Sequence, residues 1–230
     1  MASENWFLSL VCNLVLPITL LNKGTVYLGP KVAVLLALAF PLGYGIYFLL
    51  KNKKVNPVSV LGLLNVLVTG SLALSGLTGF WFALKEGAFP ALIGLFVLGS
   101  SWTRRPFMGF LLLNPQVMEL EKLETKLKED AIEGQFQQLL RLGTRLLSLS
   151  FFFSASINFT LGLHIFSEID PGLDATQRSV ILNSQLAKMT GWSMVAIVLP
   201  SMILMMGLMF FLLRRLEKMT GESWQNFVKS

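Results

Sequence analysis

Apolar residues in this chain come in long unbroken blocks rather than in alternation. Six stretches, residues 6–21, 32–50, 58–77, 87–103, 146–166 and 191–213, contain no Asp, Glu, Lys or Arg. A helix needs roughly 17 to 25 such residues to cross a bilayer. The first stretch is the shortest, and it holds Asn13 and Pro17. Strands of a membrane barrel would alternate apolar and polar positions, so continuous blocks predict helices. The expected fold is all-α: a polytopic membrane protein with six transmembrane helices.

Within these blocks a pattern recurs. In the fourth, Pro90 is followed fourteen residues later by Arg104 and then Arg105; in the sixth, Pro200 is followed at the same distance by Arg214 and then Arg215. The second repeats it loosely, with Lys53 and Lys54 following Pro41 by twelve and thirteen residues. The odd-numbered blocks each carry an asparagine: Asn13, Asn65 and Asn158. The pattern predicts three tandem hairpins of like orientation, residues 6–54, 55–105 and 146–215. Parallel repeats of this kind occur among transporters.

The distribution of basic residues gives the expected orientation. Fourteen of the 19 Lys and Arg fall after the second, fourth and sixth blocks, and the other five are Lys23, Lys31, Lys85, Arg178 and Lys188. The positive-inside rule then places both termini in the cytoplasm. Lys53, Lys54, Arg104, Arg105, Arg214 and Arg215 become the cytoplasmic anchors.

The connection between the fourth and fifth blocks is the one large polar feature. Val117, Leu120, Leu123, Leu127 and Ala131 recur at the helical period. Asn114-Pro115 reads as a start and Gly134 as a stop. The result is a cytoplasmic amphipathic helix, with Glu124–Lys128 and Lys126–Asp130 as i,i+4 pairs. Its polar face holds Glu119, Glu121, Glu124, Glu129, Asp130 and Glu133. An acidic face suits anionic lipid poorly, so docking on the protein's own inner surface or on a protein partner is expected, beside a solvated linker helix. The domain layout is 1–113 for helices one to four, 114–145 for the amphipathic helix and linker, 146–215 for helices five and six, and 216–230 for a cytoplasmic tail.

On the other side, residues 167–187 read as an ordinary exposed loop, with Glu168, Asp170 and Asp174 lacking calcium-loop spacing. Lys85 and Glu86 interrupt the second hairpin at its outer turn. As i,i+1 neighbours they are not expected to face each other; both should snorkel to the outer interface, with Trp81 and Phe82 as an aromatic belt. The eighteen residues from Glu86 to Arg104 rise about 27 Å as a helix, which suits two opposite interfaces. Glu86 as a proton carrier is the secondary alternative. The small residues of residues 69–76 and 154–156 are packing faces, and the Met-rich sixth block is adaptable packing.

Composition agrees with a lipid setting. Of 230 residues, 53% are hydrophobic and 14% charged, against about 25% charged in soluble domains. The mean hydropathy is +0.64. The net charge of +6 is topological, because the basic residues stand at the ends of apolar blocks and not among aromatics, so nucleic acid is not an expected partner. The single Cys12 excludes an internal disulfide and a Cys-based zinc site, and it reads as an inert packing residue. The N-terminal residues lack the basic start and cleavage site of a signal peptide, so a retained first helix is expected. His164 is the only histidine and reads as an interfacial or packing residue, with a proton relay as the minority role. No nucleophile elbow, phosphate loop or zinc-protease motif is present. No enzyme, cofactor, metal or catalytic residue is expected. Asn13, Asn65 and Asn158 are candidates for a polar path or for helix–helix contacts, the latter being the commoner role of membrane amides.

The stretch "WTRRPFMGFLLLNP" (residues 102–115), with a basic pair, a proline and an apolar run after a membrane helix, resembles the bacterial septation protein A-like inner-membrane family. Asn158 in a late helix followed by a returning helix is similar, as is "LGPKVAVLLALAFPLGYGIYFLLKNKK" (residues 28–54). The resemblance covers most of residues 28–213, and the long acidic helix departs from it. It implies a bacterial inner-membrane protein associated with envelope maintenance or division, and it carries over no catalytic residues. Two functions follow. One is a non-enzymatic membrane protein working through partner contacts on the acidic face and basic loops. The alternative is a small transporter or lipid-handling carrier with a path lined by the asparagines. The lipid bilayer is a partner in either case, and the chain could self-associate as an oligomer.

Overall fold

The computed structural model describes residues 11–52, 57–114 and 118–228. They are helical, with no strand among the described residues beyond one isolated antiparallel bridge between Met118 and Val228. Helix α1 joins Val11–Val15, Leu16–Thr19, Leu20–Gly24 and Thr25–Leu28, of which the first and third are π-helical turns. A proline ring removes one helical donor and crowds the preceding turn, and widened turns flanking Pro17 accommodate it. Gly29, at φ 80°, breaks the helix; only glycine enters that region without penalty. Helix α2 (Pro30–Asn52) then starts on a proline, whose missing N–H is an orphan at that position anyway. Next come α3 (Pro57–Ser75), α4 (Phe80–Ser100), α5 (Phe107–Leu112), α6 (Leu120–Glu129) and α7 (Glu133–Ile165). Helix α8 (Ala175–Ser193) continues through a π-helical turn, Met194–Val198, into α9 (Leu199–Thr220), and a 3₁₀ turn follows at Trp224–Phe227.

Four helical spans among the described residues are long and apolar enough to cross a membrane: Pro30–Tyr47, Phe80–Ser100, Glu133–Ile165 and Ala175–Thr220. Apolar side chains cover their outer faces. Leu92, Leu95 and Phe96 on α4, and Ile203, Met206 and Phe210 on α9, are all exposed. Apolar patches of this kind mark surfaces made for lipid or protein contact rather than water.

The chain divides into two compact units, Met1–Phe89 with Ser156–Ile197, and Pro90–Ala155 with Val198–Ser230. In the first unit, Leu21 of α1, Val34 and Ala37 of α2, Phe82 of α4, and Leu182, Leu186 and Met189 of α8 share one core. Phe82 stacks on Phe166 at 5.0 Å between ring centroids. Two close approaches shape this unit. A Cβ built on Gly70 would stand 3.0 Å from Leu38, and one on Gly162 would stand 2.8 Å from the Ala83 Cα. Gly70 belongs to the small-residue stretch expected to form a packing face.

In the second unit, Met108, Leu112, Leu123, Leu127, Leu140, Leu212, Leu216 and Phe227 build the core. Helix α5 begins after Pro106 with no capping side chain of its own. Its first amides are capped from a distance instead: Phe107 N–H donates to Ser100 Oγ at 3.0 Å and Met108 N–H to Thr144 Oγ1 at 3.0 Å. Helix ends leave such donors orphaned, and a buried one needs a partner.

The amphipathic helix exists with altered bounds. Val117 lies outside the described residues, and α6 starts at Leu120. It ends before Gly134: Ala131 takes the left-handed conformation at φ 55°. Ala131 N–H donates to Lys128 O at 3.1 Å and Ile132 N–H to Leu127 O at 3.0 Å. That is a Schellman closure built on alanine. Gly134 lies in the first turn of α7, so the fifth apolar block belongs to a helix beginning thirteen residues earlier, at Glu133. Leu123 and Leu127 are buried in the unit's own core, which satisfies the expected docking on the protein itself. Lys126 pairs with Asp130 at 3.3 Å, while Glu124 and Lys128 make no ion pair among the described residues.

The segment after α9 docks on this helix. Gly221, at φ 67°, ends α9 in the usual glycine position. Phe227 is then fully buried, Glu119 N–H donates to Phe227 O at 2.8 Å, and Lys122 Nζ donates to Asn226 O at 3.0 Å. Lys126 also reaches Glu222 at 3.6 Å. Its hydrogen bond to Asp130 holds the ammonium pKa above the ordinary 10.5, against desolvation.

Candidate functional site

The expected site residues fare differently. The side chain of Asn13 lies outside the described residues, as do Lys53 and Lys54. Asn65 on α3 is half-buried; its Oδ1 has no hydrogen-bond partner among the described residues, and its carbonyl accepts from Thr69 Oγ1 at 2.8 Å. Asn158 on α7 is buried. Arg104, Arg105, Arg214 and Arg215 are exposed. Arg214 and Arg215 sit 5.1 and 5.5 Å from the ring centres of Phe210 and Phe211, which suits cationic ends of an apolar helix. His164 is exposed, with Nδ1 2.7 Å from the Thr160 carbonyl.

Lys85 and Glu86 correct the sequence expectation. They face each other: Lys85 Nζ lies 2.7 Å from Glu86 Oε1, with side chains 7% and 18% exposed. Neither snorkels freely. Phe82 and Ala83 are fully buried on the same turn of α4, so Phe82 is core and not interfacial belt. The neighbour rule describes where Cβ atoms point; four methylenes let the lysine ammonium fold back across one residue. Burial supplies the reason. An unpaired charge away from water is far more costly than a strained rotamer.

The loop expected at residues 167–187 is mostly helix, because Asp174 starts α8 there. Its Oδ1 accepts from Thr176 N–H at 2.7 Å and Gln177 N–H at 2.9 Å, while Gln177 Oε1 accepts from Asp174 N–H at 3.3 Å. This reciprocal pair is a capping box. Leu182, Leu186 and Met189 then bury one stripe of the helix. Two buried amides, Asn183 and Gln185, lie among them. Asn183 is 2% exposed, and its Nδ2 donates to Thr25 Oγ1 at 2.9 Å and Pro30 O at 3.0 Å. It ties α8 to the end of α1 and the start of α2. Gln185 Nε2 donates to Ser167 Oγ at 2.9 Å.

Beside Asn183 lies a pocket of about 250 Å³, lined by Pro30, Lys31 and Val34 of α2, Ala73, Gly76 and Thr78 at the end of α3, and Ala175, Arg178, Ser179, Leu182 and Asn183 of α8. Arg178 Nη2 donates to the Gly76 carbonyl at 3.5 Å, a long bond. Among the described residues, neither Lys31 nor Arg178 has a carboxylate within ion-pair distance. The nearby Glu168 is engaged by Thr78 Oγ1 at 3.4 Å and packs against Gly79. Gly76 and Gly79, at φ 73° and 54°, turn the chain between α3 and α4 around this wall. A second, largely apolar pocket of about 390 Å³ is lined by Ser156, Ile157, Thr160, Leu161, His164 and Ala196. No cluster of metal-ligating side chains occurs among the described residues.

Sequence reasoning missed Lys31, Arg178 and Asn183 as a group. Part of the signal was present: Asp174 with Gln177 three residues on announces a helix start, and Ala175, Arg178, Ser179, Leu182 and Asn183 then fall on one face.

Fold and site together define an all-helical protein with several membrane-length apolar helices, a buried ion pair in one of them and a cationic pocket. Comparison with known proteins adds nothing further: no family model, curated protein or solved structure matches the chain.

Proposed function

We propose that the chain is a six-span protein of the bacterial inner membrane, built as three tandem hairpins with both ends in the cytoplasm, and that it acts without catalysis as a small carrier or lipid-handling protein. The orientation rests on the fourteen basic residues grouped after the second, fourth and sixth apolar blocks. One observation carries the functional part: the Lys85–Glu86 pair, 2.7 Å apart and largely buried in the outer half of the Phe80–Ser100 helix. Ionisable groups inside membrane helices are expensive and mark solute or proton pathways by default. Asn158, also buried, and Asn65, whose Oδ1 has no partner among the described residues, add polar groups within apolar helices.

Cysteine accessibility tests this. In a Cys12→Ala background, Asn65→Cys, Glu86→Cys and Asn158→Cys are each treated in intact membranes with a small water-soluble thiol reagent. Labelling at all three positions, blocked by a candidate solute, is the expected result. No labelling in a folded protein means buried packing groups, and the carrier function is then abandoned.

A second function, envelope or division support through a protein partner, has its own observation. Glu119, Glu121, Glu124, Glu129, Asp130 and Glu133 are all exposed while the apolar side of α6 is buried. A basic partner would meet an outward acidic face.

A further inference from the structure

We infer that the pocket between α2, the α3–α4 turn and α8 binds a phosphate-type oxyanion, presented by the head group of a membrane lipid. Four observations converge on it.

Charge comes first. The side of the membrane proposed to be extracytoplasmic carries only five Lys and Arg, as expected where translocated cations are disfavoured. One of the five, Lys85, is neutralised by Glu86. Two more, Lys31 and Arg178, line this one pocket, and no carboxylate among the described residues pairs with either. Among the described residues Arg178 makes one hydrogen bond, the 3.5 Å contact to the Gly76 carbonyl, which leaves most of its guanidinium donors available. A guanidinium fork matches phosphate oxygens, and a lysine ammonium completes the neutralisation as a point charge.

Size comes second. A volume of about 250 Å³ falls below the roughly 300–1,000 Å³ of ordinary small-molecule sites. It has room for a head-group phosphate.

The rim comes third. Next to Pro30 and Lys31 in the chain stand Val26, Tyr27, Leu28 and Val32, and beside Gly76 stands Leu77, all exposed. Tyrosine among exposed apolar residues is the signature of the lipid–water boundary. An amphiphile with an anionic head and apolar tails suits a cationic pocket whose lining residues have exposed apolar neighbours in the chain; a free ion uses only the pocket.

Fourth, the walls are pre-built. Asn183 is buried and bonded to Thr25 and Pro30, and the first amides of α8 are already taken by Asp174. The attraction therefore comes from the two cationic side chains and not from the helix end. This inference sharpens the lipid-handling form of the proposed function and rests on it only for the side of the membrane.

The test uses the full chain purified in a mild uncharged detergent. Short-chain phosphatidylglycerol, short-chain phosphatidylcholine and inorganic phosphate are titrated separately, with binding read by calorimetry and by retained lipid in native mass spectrometry. Phosphatidylglycerol should bind more tightly than phosphatidylcholine, and Lys31→Gln and Arg178→Gln should each weaken it by about tenfold, the scale of one lost charge-assisted contact. Arg178→Lys should retain part of the affinity. Millimolar inorganic phosphate distinguishes the sources: failure to compete supports the lipid, and full competition supports the same oxyanion site filled from solution. Equal phosphatidylglycerol binding by the folded wild type and the Lys31→Gln/Arg178→Gln double variant overturns the inference. Should the variants not fold, wild-type binding that is unchanged between low and high salt overturns it equally, because a partly exposed ionic site must weaken with screening. The readout is binding alone, so a carrier that transports nothing can still pass, and a working carrier can still fail.

Discussion

The contact between α4 and α7 in the first unit can be tested at a single atom. A Cβ added to Gly162 would lie 2.8 Å from the Ala83 Cα and 3.1 Å from its Cβ. The first neighbour is backbone and fully buried, so no side-chain rotation relieves the overlap. Small residues let membrane helices approach closely, and that approach is much of what holds them together. Gly162→Ala must therefore push the helices apart, with an expected penalty of about 1–3 kcal/mol, typical of overpacking. Against this stands the better helix propensity of alanine, worth up to about 1 kcal/mol, so the net loss should be about 0–2 kcal/mol, and about 1–3 kcal/mol relative to a glycine-to-alanine change that meets nothing. Gly99 in α4 is the control: it is exposed, with nothing within 4 Å of an added methyl group. Gly99→Ala should be neutral or stabilising by up to about 1 kcal/mol. Unfolding in mixed micelles of rising SDS fraction, followed by tryptophan fluorescence, compares the two directly. If Gly162→Ala unfolds at the same SDS fraction as Gly99→Ala, close helix contact is not what fixes glycine at position 162, and the packing argument for this unit fails.

Further expectations follow from other residues. Lys85→Met alone leaves the Glu86 charge buried beside an apolar side chain and should destabilise the fold by about 3–5 kcal/mol, whereas Lys85→Met with Glu86→Leu should return near wild-type stability; SDS unfolding of the three proteins gives the comparison. Ala131→Gly relieves the left-handed backbone at φ 55° and should stabilise α6 by about 0.5–1 kcal/mol, seen as slower amide exchange at Leu127 to Asp130. Phe227→Ala empties a fully buried site, for which losses of about 3–5 kcal/mol are usual; release of residues 221–228 would cap the loss, so the signature is fast exchange at the Glu119 amide. Lys126 has its pKa raised above 10.5, first by its hydrogen bond to Asp130. A raised folded pKa stabilises fully below the unfolded value and is lost as pH climbs through the folded one. Protection of the segment should therefore be flat through neutral pH and fall only above about 10.5, and Lys126→Met should abolish that alkaline step.

What could be read from the sequence follows the range of the interactions involved. The helices were legible because each apolar block is a local pattern longer than a strand. Leu123 and Leu127 were legible as a buried stripe for the same reason. The end of α6 was not: the chain carries a glycine at Gly134, but the left-handed position fell to Ala131, held there by bonds to Leu127 and Lys128 and by Ile132 packing against the core. Helix α8 was masked by Glu168, Asp170, Pro171 and Gly172, which look like loop, although Asp174 and Gln177 spelled its cap. The Lys85–Glu86 pair was hidden by reasoning from Cβ directions alone. The pocket was beyond local reasoning altogether, since Lys31, Gly76 and Arg178 come from three separate elements.

The two proposed functions differ most in how salt should affect them. Helix α6 has already buried Leu123 and Leu127 against Phe227, Met118 and Leu216 in its own core. A partner on its outward side would meet charges and almost no apolar anchor, and interfaces draw most of their energy from buried anchors. Exposed ion pairs contribute only about 0–1 kcal/mol each and are screened beyond roughly 8 Å at physiological salt. Any complex formed there must be fast, weak and lost at high salt. The Lys85–Glu86 pair is 2.7 Å apart with side chains only 7% and 18% exposed, so salt screens it less than the exposed charges of α6. A function carried by that pair should persist at salt concentrations that dissolve any contact made by the acidic face, so the salt dependence of activity decides between the two functions.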